Sequence, residues 1–183
     1  ADACLSADPA LVEQSAAVVL PGVGAFGRCM EALAATGLER IAPKAAREAS
    51  EGGRPFLGIC VGLQLLHDES QEAPESGLGV IPGRVTLLEG EVKRPQMQWN
   101  RLEGELDHAM FRGVGPEPWV YFVHSYAAPV GESTSAVCDY GGRVCAAVAK
   151  GNLWATQFHP EKSGRTGLRI LKNFVDRLRQ DEA

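Results

Sequence analysis

No stretch of this sequence is apolar for long enough to cross a bilayer as a helix. The longest runs, such as residues 16–20 and 119–123, fall far short of the ~20 residues required. Clusters of basic residues are missing too, which removes the electrostatic footprint of a nucleic-acid binder, and no block of like charge marks a solvating tail. Nothing in the first residues reads as a secretory signal. The five cysteines are odd in number and never spaced CxxC, which argues against both a disulfide framework and a zinc site. They predict a protein kept in the reducing cytoplasm. GKS and GKT are absent, so the glycine-rich turns are poor candidates for phosphate binding. No internal repeat, linker or low-complexity segment breaks the chain.

What is present fits one domain. The 183 residues are 45% hydrophobic with a net charge of −5, enough for a sizeable core. In the first half, short apolar runs alternate with helical stretches. Residues 16–20 (AAVVL) read as a buried strand before Pro-Gly. Helices are predicted over 28–35, broken at Gly37, and over 38–49, with Pro43 in the first turn of the latter. Gly52-Gly53 stops that helix, 55–59 is the next strand, and 61–69 the next helix. This alternation points to parallel βαβ units, with strand 55–59 in the sheet interior because it is apolar on both faces.

The second half changes character. Residues 79–88, 119–126, 135–140, 143–149 and 153–158 all read as extended. Tyr140-Gly-Gly-Arg143 carries a two-residue hairpin signal, and that register sets Cys138 opposite Cys145. Both are expected to stay reduced. A last helix follows, with Leu168, Leu171, Phe174, Val175 and Leu178 on one apolar stripe.

Chemistry concentrates in two short segments. PFLGICVGLQ, residues 55–64, sets a lone Cys60 between Gly58 and Gly62 at the end of an apolar run. A strand that turns sharply into a helix pushes its junction residue into a strained, exposed position, and the flanking glycines let neighbouring backbone approach. Near a helix N-terminus a cysteine is expected to favour the thiolate, and the Val61 N–H is free to stabilise an oxyanion. FHPEK, residues 158–162, sets His159 and Glu161 two apart in extended chain, where they can share a side. Thiol, imidazole and carboxylate are the parts of a nucleophilic triad. An HxE triplet alone is weak, and its weight comes from Cys60.

The turn Pro21-Gly22-Val23-Gly24 needs glycine for conformational reasons, and it can also present backbone N–H groups to an oxyanion near Cys60. His67 and His108 are single histidines without metal-ligand spacing. His67, late in the helix after Cys60, reads as peripheral, and His124, inside an apolar strand, as a satisfied core histidine.

Together these residues resemble the class I (triad) glutamine amidotransferases, and within them the glutaminase subunits of imidazole glycerol phosphate synthase. The resemblance runs through PGVGAF at 21–26, GICVGLQLL at 58–66, QMQWN at 96–100, YFVHSY at 121–126 and QFHPEKSGRTGLRILKNF at 157–174. It implies an α/β fold: a three-layer sandwich of flavodoxin-like architecture, with a mostly parallel central sheet and an antiparallel extension, as a single domain over residues 1–183. It implies that Cys60 forms a glutamyl thioester with His159 and Glu161 completing the triad. Gln64 and the backbone of Ser125 and Tyr126 would hold the glutamine. Gly22, Val23 and Gly24 would supply the oxyanion strand, turned correctly only in the complex. Trp99, Asn100, Tyr121 and Lys162 would face a (β/α)8-barrel cyclase, which receives the ammonia and makes imidazole glycerol phosphate in histidine biosynthesis. No metal and no cofactor are called for. For Trp99 the alternative is that it simply fills the core.

Two departures from the family pattern stand out. Near 96–100 the pattern is close to HMGWN, whereas Gln96 and Gln98 stand here, adding bulk where the subunits should meet. The family also begins with a strand, a GxGN turn and a helix ahead of the position of Ala1, a unit of about 25–30 residues. The expectation is therefore a fragment or a damaged copy, poorly soluble alone, with an unpaired groove beside strands 16–20 and 55–59. Other readings are a glutaminase serving another synthase, a γ-glutamyl hydrolase using the same triad, and a non-catalytic subunit that binds a barrel partner.

Overall fold

The computed structural model describes residues 1–180. A short helix, α1 (Pro9–Gln14), opens the chain; Asp8 Oδ1 accepts from the Ala10 N–H at 2.9 Å and Pro9 occupies the first turn. Arg54 holds its far end, with Nη1 donating to the carbonyls of Val12, Glu13 and Ser15. Next come β1 (Val18–Gly22), α2 (Phe26–Thr36) and α3 (Leu38–Ser50). Gly37, with φ 74°, separates the two helices as expected. Pro43 is not in the first turn of α3 but inside it, and the helix continues through it.

Strand β2 (Phe56–Cys60) lies parallel to β1, with Val18 opposite Phe56 and Gly22 opposite Cys60. Parallel strands need a long crossover, and α2 with α3 supplies it. The helix expected over 61–69 is only α4 (Val61–Leu65); the chain then turns into a small sheet made by β3 (Glu69–Ser70), β4 (Ala73–Ser76), β5 (Arg84–Leu87) and later β8 (Tyr126–Ala127). Of the extended stretch expected over 79–88, only β5 is a strand. Strands β6 (Gln96–Arg101) and β7 (Trp119–His124) form an antiparallel ribbon, with Trp99 opposite Tyr121.

The main sheet runs β1, β2, β11 (Leu153–Thr156), β10 (Arg143–Lys150), β9 (Thr134–Asp139). Its first three strands are parallel, and its last two extend it antiparallel. β2 is interior, as its two apolar faces require: Phe56 belongs to a core under α2, α3 and α4, and Leu57 to a second core on the opposite face. The second core holds Trp154, Phe158 and Phe122, and α5 (Gly164–Gln180) closes it with Ile170 and Phe174. The layers are helices, sheet, then α5 with the β6–β7 ribbon.

Three sequence expectations change here. The hairpin between β9 and β10 has three connecting residues, because Arg143 pairs with Asp139. Cys138 therefore faces Val144, and Cys145 faces Val137. A one-residue shift moves a side chain to the other face, so the two thiols lie in different cores and both are free. On α5, Leu168 is 63% exposed, and the buried side is built from Gly167, Ile170 and Phe174. Finally, β1 and β2 pair directly over five residues, and β11 occupies the other edge of β2. The groove expected beside strands 16–20 and 55–59 is therefore absent at β2, which has no free edge; β1 is an end strand of the sheet, with Val19 about half exposed.

Candidate active site

β2 ends on Cys60 and α4 begins at Val61. At that junction Cys60 has φ 56° and ψ −112°, and among the described residues it alone is a non-glycine at positive φ. Such strain persists only where the surroundings enforce it. Three glycines do so. A Cβ on Gly62 would sit 2.0 Å from the Leu20 carbonyl oxygen; one on Gly22 would meet Gly62 N and the Val61 Cβ at 2.7 Å; one on Gly58 would meet the Ala155 Cβ at 3.0 Å. β1, β2 and α4 thus close on one another at distances only glycine allows.

A cleft of about 360 Å³ opens over the junction. Cys60, Val61, Gln64 and His159 line it, and so do Val23, Gly24, Ser125, Tyr126 and Lys162. Of the catalytic and glutamine-holding positions expected from the sequence, the cleft brings together Cys60, His159, Gln64, Ser125 and Tyr126, while Glu161 stands behind His159 and outside the lining. Of the oxyanion segment, Gly22 is buried under α4, while Val23, 77% exposed, and Gly24, at φ 89°, face the cleft.

His159 is buried, and its Nδ1 lies 2.8 Å from Glu161 Oε1. A carboxylate at Nδ1 keeps the proton there and leaves Nε2 to exchange one with a reactant. The loop bearing the pair is tied to β7: His159 N donates to Tyr121 O at 3.0 Å, and the Ser163 hydroxyl bridges Tyr121 N and His159 O. Gly167 lets α5 approach, because a Cβ there would lie 1.8 Å from Pro160 O.

Burial pushes the Cys60 thiol from 9.0 up to about 11. A hydrogen bond from the Val61 backbone pulls back, and the Glu161 charge adds to the rise. The expectation that the helix N-terminus yields a resting thiolate does not hold: α4 has five residues, too short to offset desolvation. Cys60 is a thiol at neutral pH and needs a base.

Sequence reasoning missed two groups. Gln157 donates through Nε2 to Cys60 Sγ at 3.8 Å and accepts from Gln64 Nε2 at 3.0 Å, and Gln64 also donates to Tyr126 O at 2.8 Å. Gln157 precedes His159 by two in a strand-like segment, so the same spacing that paired His159 with Glu161 could have found it. Glu72 lies in the cleft wall with Oε2 capping the Phe26 N–H at 2.8 Å; no local pattern announces it, because the β3–β4 turn carries it there. His67, read as peripheral, is buried just past α4, with Nδ1 3.2 Å from Leu63 O and its pKa lowered by burial. His108 accepts from Met110 N and lies edge-on to Trp154, away from the cleft.

Beside the cleft, the β6–β7 ribbon turns one face outward. Met97, Trp99 and Trp119 are each about half exposed or more on it, and Tyr121 sits edge-on to Trp99. Trp99 does not fill the core. Lys162 is exposed at the cleft rim. Asn100 lies on the other face of β6, and its Nδ2 already donates to Asp139 O.

The profile of the glutamine amidotransferase class-I family matches residues 5–178, and the chain belongs to that family. Among its relatives is the imidazole glycerol phosphate synthase subunit HisH of Nitratidesulfovibrio vulgaris (strain DP4), 44% identical over 93% of this chain and 82% of the relative. The protein of the same name from Syntrophotalea carbinolica is 49% identical over 92% of this chain and 85% of the relative. A crystal structure of a glutamine amidotransferase superposes with a TM-score of 0.69 at 22% identity, covering 94% of this chain and 84% of that one. The chain is thus similar to a glutaminase subunit, on a fold shared across the family.

Proposed function

We propose that this chain is the glutaminase of an imidazole glycerol phosphate synthase, using Cys60, His159 and Glu161 to release ammonia for a cyclase subunit in histidine biosynthesis. The observation that carries the reading is His159, backed by Glu161, in one cleft with a cysteine forced to positive φ. His159 Nε2 takes the proton as Cys60 Sγ attacks the γ-amide carbon of glutamine. The oxyanion is received by the Val61 N–H and by a backbone N–H of the Gly22–Gly24 turn. His159 returns the proton to the leaving nitrogen, ammonia departs, and a glutamyl thioester remains. Water, deprotonated by His159, hydrolyses the thioester to glutamate and restores the thiol. Gln64 with the backbone of Ser125 and Tyr126 holds the substrate's α-groups, and the Glu72 carboxylate supplies a negative charge for its α-ammonium.

The partner is a (β/α)8-barrel cyclase docked on the outward face of the β6–β7 ribbon. Trp99, Tyr121 and Lys162 carry that contact. Asn100 contributes less, because its amide is already bonded within the chain. Ammonia passes into the barrel and ends in imidazole glycerol phosphate, with aminoimidazole carboxamide ribotide as by-product. The reaction fits a cytoplasmic enzyme.

The test is nitrogen-source dependence. In the complex, Cys60→Ala is expected to abolish glutamine-dependent turnover and to leave ammonia-dependent cyclisation intact. Persisting glutamine-dependent turnover would refute the assignment. Trp99→Ala should weaken subunit association by about 2 kcal/mol or more while the chain's own melting stays nearly unchanged; unchanged association would move the interface elsewhere.

A further inference from the structure

In the wall of the cleft stands a histidine that this mechanism does not use. His124 is buried, with Nδ1 2.9 Å from Tyr126 O and Nε2 3.0 Å from Gln96 Oε1. Gln96 is wholly buried, and its amide also reaches Cys138 Sγ at 3.9 Å. A neutral imidazole carries one N–H, and burial keeps His124 neutral by lowering its pKa to about 4. The Tyr126 carbonyl can only accept, so the proton sits on Nδ1. Nε2 is then a bare acceptor and needs a donor. Turning the Gln96 side-chain amide over supplies one: its NH₂ faces His124 Nε2, and its oxygen accepts the S–H of Cys138. Amide oxygen and nitrogen are nearly indistinguishable in shape, and this arrangement leaves no buried polar atom of the group mismatched. Burial also keeps Cys138 protonated, with its pKa pushed up to about 12.

The end of this donor chain is a substrate-holding segment. Leu88 N donates to Ser125 O, and Tyr126 stands opposite Leu87 on β5. Bonds alternate along an antiparallel ladder, so the backbone groups of Tyr126 turn away from β5 and toward α4. Its carbonyl is caught there by two donors, Gln64 Nε2 and His124 Nδ1. Gln64 is bonded in turn to Gln157, which reaches Cys60.

We propose that His124 and Gln96 are positioning residues for the glutamine subsite: by donating in sequence to the Tyr126 carbonyl, they hold the Ser125–Tyr126 backbone at a fixed distance from Cys60. Gln96 is wholly buried off the cleft, and His124, at its wall, acts through the Tyr126 carbonyl and not on the substrate. The inference rests on the glutaminase reading above. Loss of the chain should loosen the grip on the substrate's α-groups while leaving the triad in place.

The experiment uses the assembled complex with glutamine as substrate. Gln96→Met, close in shape but without a donor, and His124→Ala should each raise KM for glutamine by about tenfold, the scale of one buried hydrogen bond, with kcat changed much less. His124→Asn, whose amide N–H can replace Nδ1–H, should recover most of the KM. Alkylation of Cys60 by iodoacetamide, which has no α-groups to hold, should proceed at the wild-type rate in all three. Nitrogen NMR of the His124 ring in the wild-type protein should show Nδ1 protonated and Nε2 bare. The proposal is overturned if Nε2 carries the proton. It is overturned equally if kcat falls with KM unchanged, or if His124→Asn is no better than His124→Ala. A wild-type complex that does not hydrolyse glutamine at all would instead bring down the glutaminase reading, and this inference with it.

Discussion

Cys60 and Cys145 are both buried, both free, and both have thiols pushed up to about 11 by burial. By acidity they are the same residue. Their surroundings are not. Cys145 sits mid-strand in β10, where its thiol contacts Thr134 Oγ1 and Ala147 O and points into a sealed core. Cys60 sits at the end of β2, at positive φ, on the wall of a cleft that also holds His159. On the proposed reading, what separates nucleophile from core filler is therefore not resting thiolate but a backbone that presents the sulfur and a base that takes its proton. A protonated thiol also protects an idle glutaminase from adventitious oxidation, since oxidation follows thiolate character and exposure.

The comparison breaks first under substitution. Cys60→Ser in the complex should lower glutamine-dependent kcat by about four decades or more, whereas Cys145→Ser should stay within a few-fold in assays of the folded protein. Comparable losses at both positions would mean the backbone distinction carries no chemistry. His159→Asn removes the base and should cost about two to four decades in kcat, again with ammonia-dependent turnover by the partner retained.

A third effect concerns assembly. If the Gly22–Gly24 turn offers its N–H groups only in the complex, the isolated chain lacks an oxyanion donor worth roughly 2.7–4 kcal/mol. Free and assembled subunits should then differ by about two to three decades in glutaminase rate; equal rates would show that the turn is set without the partner.

A smaller effect is in pH. Alkylation of Cys60 by iodoacetamide should rise about tenfold per pH unit from neutrality toward its pKa, because only thiolate reacts. Cys145 should stay unlabelled until the chain unfolds. Stability shifts only in the upper part of that range, above pH 9. The folded state retains its thiol protons up to about 11 at Cys60 and Cys145, and about 12 at Cys138, while the unfolded chain releases them near 9.0. Above pH 9 the unfolded state binds fewer protons, so stability is full below that value and falls as pH rises through the folded pKa values. A melting temperature flat from pH 8 to pH 11 would contradict the burial of these thiols.

Gly62→Ala tests the strain itself. Its Cβ would meet the Leu20 carbonyl at 2.0 Å, so either β1 withdraws or Cys60 relaxes. A lowered melting temperature is expected, together with a loss of glutaminase rate larger than global unfolding at the assay temperature explains. Full activity in a folded Gly62→Ala chain would show that the close approach is dispensable.

Much was legible in the sequence because it is local. The strand–turn–helix at Cys60, the HxE spacing at His159 and the apolar period of β2 depend on neighbours within a few residues, and steric and periodic rules reach that far. Where the reading slipped, the deciding contact lay elsewhere in the chain. The helix after Cys60 stops at Leu65 because Leu66 and His67 give their carbonyls to Val80, Ile81 and Gly79. The Cys138 and Cys145 register shifted by one because the turn took Tyr140 as well as the two glycines. Leu168 was assigned to the buried stripe by period alone, while Ile170 is the residue that enters the core.

The sequence by itself determined which residues can do chemistry and which strands can be buried on two faces, since side-chain identity and alternation need no third dimension. Only the tertiary structure decided that Cys60 rests as a thiol, that Glu72 joins its cleft while Gln157 reaches its sulfur from the buried side, and that Trp99 stands outside the core. Burial, field and shared walls are properties of segments brought together from opposite ends of the chain, and no local pattern encodes them.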